Sequence, residues 1–185
     1  MEETRVLILL LLPVSLLIDA FLILFPIAYF SFKKGTSIKE ALKKLGLKKL
    51  KAKKLAKETL LLLAKLLLLF LALNVFFTLV NFNDLSKVYE TVKEISLPFM
   101  IYLLVVRVTA EEIFFRGLLV QKIGVLYSTA LFAVAHALYG SVIEVIGAFV
   151  LGLVLATTFN KTKELLPNIL GHMAYNAIIL YFFVV

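Results

Sequence analysis

"TLLLLAKLLLLFLALNVFFTLVNF" (Thr59–Phe82) holds one ionisable side chain, Lys65, in 24 residues. A bilayer's hydrocarbon core takes about 20 apolar residues of helix to cross. Within it, backbone amides find partners only inside a helix or a closed barrel. The stretch therefore reads as a membrane span, with Lys65 snorkelling to the near interface. Working outward, five more apolar stretches follow the same logic: Val6–Phe32, Leu97–Val120, Ile123–Tyr139, Ser141–Phe159 and Leu166–Val185. The first is long and contains Pro13 and Pro26, so it can tilt, kink or break. No small-residue cleavage site follows its apolar start, and Val6 onward reads as a permanent span, not a removed signal. Only Gly140 separates the fourth stretch from the fifth, which predicts a tight helical hairpin. Ala148 and Gly152, four apart, offer a close helix contact.

The 185 residues are 62% hydrophobic, with mean hydropathy +1.03, well past a soluble domain's apolar share. The expected fold is an all-α integral membrane protein of about six transmembrane helices plus a basic amphipathic segment. It forms a single membrane domain over 1–185, with N-terminal helices and the basic loop in 1–96 and the polar motifs in 97–185. There is no cysteine, which excludes disulfides and thiolate chemistry.

The basic segment is "KKGTSIKEALKKLGLKKLKAKKLAK" (Lys33–Lys57), eleven lysines against Glu40. Its apolar residues, Ile38, Leu42 and Leu45 and then Leu47 and Leu50, fit two short amphipathic turns hinged near Gly46. The expected partner is a layer of anionic lipid headgroups on the cytoplasmic side. No aromatic residues interleave with these lysines, so nucleic acid is not an expected partner. With this loop cytoplasmic, Lys122 and the Lys161/Lys163 loop also fall inside, and both termini fall outside. Every strongly basic loop then shares one side.

An ionisable group at membrane depth is costly and is a functional candidate by default. "RVTAEEIFFRGLL" (107–119) packs in four: Arg107, Glu111, Glu112 and Arg116. Glu112 and Arg116 share a helix face, as do Arg107 and Glu111, while the two glutamates point about 100° apart. Self-neutralising ion pairs that permit insertion explain this spacing as well as a site does. Asp19 and Glu144 have no sequence-local partner. His136, His172 and Asn176 lie on other spans at comparable depth, between about 9 and 20 Å from the inner ends by helical rise. His172 and Asn176 share a face, and so do Phe132 and His136.

This set suffices for hydrolysis. A desolvated glutamate can act as general base on water, helped by a histidine. A second histidine and an amide can donate to a developing oxyanion, worth about 3–4 kcal/mol per well-placed donor. Two histidines and two glutamates could also supply zinc ligands around an open water position, although no H-E-x-x-H helix is present.

"EEIFFR" (Glu111, Glu112, Arg116), "FAVAH" (Phe132, His136) and "HMAYN" (His172, Asn176) resemble, in order, the three signatures of the CaaX-protease and bacteriocin-processing family. The resemblance covers about Leu97–Val185. It implies an intramembrane glutamate endopeptidase acting on a membrane-associated, in some members prenylated CaaX-type, protein or peptide without a cofactor. Glu111 then matches the catalytic base and His136 its assistant. His172 and Asn176 match the oxyanion-stabilising pair, with Glu112 and Arg116 as supporting residues and Phe132 as packing. The rival expectations are a zinc-dependent membrane protease, a non-catalytic factor that binds a peptide or partner in the same cavity, as in bacteriocin self-immunity, and a purely structural bundle. Arg107 stands outside the motif; whether it pairs with Glu111 or points elsewhere decides how strong a base Glu111 can be.

Overall fold

The fold is described from a computed structural model, which covers residues 2–32 and 35–184. Lys33 and Lys34, the first two lysines of the basic segment, and Val185, the last residue of the final apolar stretch, lie outside the described residues. Seven α-helices are formed among those described: α1 (Glu2–Phe32), α2 (Ile38–Lys44), α3 (Ala52–Leu79), α4 (Ser86–Lys93), α5 (Leu97–His136), α6 (Val142–Thr162) and α7 (Leu165–Val184). No strand occurs among them. Five of these helices are long and apolar enough to cross a membrane, so the protein is a multi-pass, all-α integral membrane protein. Leucines such as Leu17, Leu24, Leu68 and Leu71 stand well exposed on α1 and α3, as lipid-facing side chains must. Despite Pro13 and Pro26, α1 continues through both as one helix.

The five long helices and six apolar stretches are reconciled within α5. Its 40 residues bend back at Gly124, whose φ of 83° and ψ of 174° are not helical. In a straight helix residues 115 and 128 would lie about 20 Å apart. Instead the Ser128 hydroxyl donates to the Phe115 carbonyl at 2.7 Å, and the Phe115 and Phe132 rings stack edge-on at 5.1 Å. So α5 is two antiparallel arms, which correspond to the third and fourth apolar stretches. The first arm also contains wide π-helical turns, Leu103–Arg107 and Glu112–Val120; the Val108 amide donates to Leu103, five residues back. Gly140, left-handed at φ 72°, ends a short 3-10 turn and makes the expected hairpin into α6. Gly152 lets α6 approach the second arm: a Cβ there would lie 3.0 Å from the Phe132 ring.

At the lysine-rich end, α2 opens with a reciprocal cap, Ser37 accepting from the Glu40 amide and Glu40 accepting from the Ser37 amide, both at 3.3 Å. The expectation of a second amphipathic turn is corrected. Residues after Gly46 run without helix up to α3, because Gly46 (φ 91°) breaks the register. Ala41 and Leu45 are fully buried against Phe159 and Leu165, so part of the apolar face docks on protein. The Gly46 carbonyl accepts from the Leu165 amide at 2.9 Å, and the Gln121 amide donates to the Lys44 carbonyl at 2.9 Å. Lys54 pairs with Glu164 at 2.6 Å. The Gly124 bend and the α6–α7 connection therefore gather at the same end as the basic segment.

At the opposite end, Asp84 fastens the loop after α3 to the start of α6. Its carboxylate accepts from the Ser141 hydroxyl (2.8 Å), the Ile143 amide (3.3 Å) and the Val142 amide. Burial pushes this carboxyl up, but those hydrogen bonds outweigh it and hold it below its ordinary value. A depressed native pKa contributes stability that is complete above the unfolded value of about 4 and is lost as pH falls through the native value. Protection of the Val142 and Ile143 amides from hydrogen exchange, relative to their intrinsic rates, should therefore be high at neutral pH, fall as the medium is acidified below about pH 4, and be low throughout in Asp84→Asn. A second prediction concerns Gly46, where a Cβ would sit 2.7 Å from the Phe159 ring. Gly46→Ala should lower stability by about 2 kcal/mol or more, measured by unfolding in detergent.

Candidate active site

The centre of the site is Glu112, wholly buried. One carboxylate oxygen faces Arg116 Nη1 at 3.1 Å and accepts from His172 Nδ1 at 2.9 Å. The other faces Asn168 Nδ2 at 3.4 Å, and that amide also donates to the Leu155 carbonyl at 2.8 Å. Arg116, also buried, lays its guanidinium 4.0 Å over the Phe132 ring. Cation–π contact meets the charge that Glu112 does not. The Phe132 carbonyl in turn accepts from His136 Nδ1 at 2.8 Å, and the two rings lie 4.4 Å apart.

These bonds constrain the imidazoles. With Nδ1–H donating to a carbonyl, a neutral His136 presents Nε2 as an acceptor. His172 donates Nδ1–H to a carboxylate, so its Nε2 accepts when the ring is neutral and donates when the ring is charged. A role in oxyanion binding through Nε2 therefore requires the charged ring.

In front of this cluster lies a cavity of about 640 Å³. Glu111, His136, His172 and Asn176 all line it, from both arms of α5 and from α7. Glu112 and Arg116 stand behind it in the core. The adjacent glutamates thus face different surroundings, as their angular offset predicts, one lining the cavity and one sealed away. Phe132 packs between Arg116, His136 and His172, as expected of a packing residue. Glu144 lines the cavity too, on the first turn of α6. Among the described residues no three His, Cys, Asp or Glu side chains gather as metal ligands would.

Arg107 has a different partner from the one its spacing suggests. It pairs with Asp19 of α1 at 3.0 Å, and the Tyr102 hydroxyl donates to the other Asp19 oxygen. Asp19 is almost wholly buried, so this ionic clasp ties α1 to the first arm of α5 and supplies Arg107 with a carboxylate other than Glu111. Sequence reasoning also missed Asn168. The signal was present: Asn168, His172 and Asn176 recur every four residues and share a face of α7.

Residues 93–178 match the family described as Type II CAAX prenyl endopeptidase Rce1-like, a span that includes every motif residue from Glu111 to Asn176. Over these residues the chain is similar to that family. No curated protein matches the chain, and neither does any solved structure. The description of that family is of an endopeptidase.

Removing Glu112 leaves the Arg116 charge buried and unpaired. Glu112→Ala should therefore cost about 3–5 kcal/mol of stability. The double variant Glu112→Leu/Arg116→Met should recover much of that loss in the same unfolding assay while leaving His172 unanchored.

Proposed function

We propose that the protein is an intramembrane endopeptidase that hydrolyses a peptide bond in a membrane-associated protein or peptide. The observation that carries this reading is the convergence of Glu111, His136, His172 and Asn176 on one cavity, backed by a buried carboxylate that orients His172. Glu111 takes a proton from water as the water oxygen attacks the scissile carbonyl carbon. His136 Nε2 accepts a hydrogen bond from the same water and holds it in line. The carbonyl oxygen, now an oxyanion, accepts from charged His172 and from the Asn176 amide. The carbon–nitrogen bond then breaks, and the leaving nitrogen takes the proton from Glu111.

The pairing of Arg107 with Asp19 supports this assignment, since the guanidinium has its own carboxylate and Glu111 is left to the cavity. Prenylated CaaX tails are one substrate class that the family description names. The reaction is proposed to need no metal. In the membrane, the lysine-rich end is assigned to the cytoplasmic side by its charge, with its lysines against anionic headgroups.

Glu111→Gln should keep the unfolding midpoint and lower cleavage of a membrane peptide by at least about 100-fold; full activity in the folded variant would refute the mechanism. Chelators should leave the rate unchanged, and loss restored by zinc would transfer the reading to a metalloprotease. Tight peptide binding with no turnover in the native protein would instead favour a non-catalytic binding factor.

A further inference from the structure

Among the described residues, the cavity lining lies toward one end of the molecule. On α3 its walls lie between residues 66 and 78, in the half remote from the basic segment, and they continue through Asn81, Phe82 and Asn83. On α6 they lie between residues 143 and 155, in the half that starts at Ser141. On α7 they begin at His172 and run away from the lysine-rich end. Leu85, Val88, Val92 and Ile95, on and around α4, complete the mouth.

The other end is filled. Leu45, Phe159 and Leu165 are fully buried there, and Gly117 lies so close to Leu45 that a Cβ would meet its carbonyl at 3.2 Å. The sealed Glu112–Arg116 pair lies between this packing and the cavity floor. Charge separates the same two ends. The segment from Lys33 to Lys57 has eleven lysines and one glutamate, whereas residues 81–96 at the mouth have Asp84, Glu90 and Glu94 against Lys87 and Lys93. The positive-inside rule puts the filled end in the cytoplasm and the open end outside.

We infer that the cavity takes its substrate from the non-cytoplasmic face, so that the substrate is a membrane-bound protein or peptide segment exposed on that side. The word substrate rests on the endopeptidase reading; the face of entry rests on cavity and charge alone. A lipidated tail presented at the cytoplasmic leaflet meets, among the described residues, the packed side chains of Leu45, Phe159 and Leu165 before the buried ion pair. At the open face, the apolar side chains of α4 form one wall of the mouth, matching a substrate that is itself held at the interface.

The absence of cysteine allows a direct test. Gly147 lines the cavity, and a Cβ there meets nothing within 4 Å, so Gly147→Cys places a thiol in the cavity without displacing a neighbour. Thr78→Cys, also on the lining, serves as a second probe if the first fails to fold. Lys49→Cys marks the exposed basic end. A membrane-impermeant maleimide should label Gly147→Cys or Thr78→Cys in right-side-out vesicles at least about tenfold faster than in inside-out vesicles, because the hydrocarbon core excludes it. Lys49→Cys should show the reverse preference. Cavity labelling from the cytoplasmic side, or from neither side, would overturn the inference.

Single-span reporters carrying one cleavable segment on either face separate this inference from the endopeptidase reading. Cleavage confined to the outer segment supports both. Cleavage of the cytoplasmic segment overturns the entry face and keeps the peptidase. The expected labelling with neither reporter cleaved keeps the entry face and counts against the peptidase.

Discussion

A fully buried carboxylate, Glu112, is the constraint on which the rest of this structure depends. A charge removed from both water and headgroups is tolerated only if its neighbours satisfy it. Arg116, His172 and Asn168 do so from two helices. The requirement locks α7 against the first arm of α5. Arg116 in turn is held over Phe132, and the Phe132 carbonyl holds His136. One desolvated charge thereby fixes the orientation of both histidines without itself lining the cavity.

A second ionic contact does comparable work on the opposite flank. Asp19 gathers Arg107 and Tyr102 and so fastens α1 to the helix that bears Glu111 and His136. Between these two anchors the α5 backbone departs from ordinary helix into π turns. Such wide turns recur at functional sites because they shift the direction of a few side chains without ending the helix. Here they bracket Glu111.

Much of this was legible from residue order. Apolar run lengths gave the membrane class, and spacings of four gave the shared faces of Glu112 with Arg116 and of His172 with Asn176. The three motifs pointed to the family that residues 93–178 match and singled out Glu111, His136, His172 and Asn176, which all line the cavity. What could not be read was everything set by distant packing. Asp19 and Arg107 are 88 positions apart, and no local spacing links them. Local charge pairing instead suggested Glu111, the wrong carboxylate for Arg107. The amphipathic pattern around Gly46 was real, but it could not say whether Leu45 would face lipid or Leu165. The reversal after Val120 was legible as the break between the third and fourth apolar stretches, but its exact place at Gly124, and the Ser128 and Phe132 contacts to Phe115 that close the two arms, depend on packing.

The fold-back at Gly124 also has a consequence in time. Chains emerge from the ribosome N-terminus first, so Glu111 and His136, on one hairpin, are made before the last helix exists. Until then Glu112 has Arg116 but neither His172 nor Asn168, and the cavity lacks one wall. A growing chain therefore holds Glu111 and His136 together before His172 and Asn176 exist to face them. Completion of the last span is then also the moment at which Glu111, His136, His172 and Asn176 first stand around one cavity.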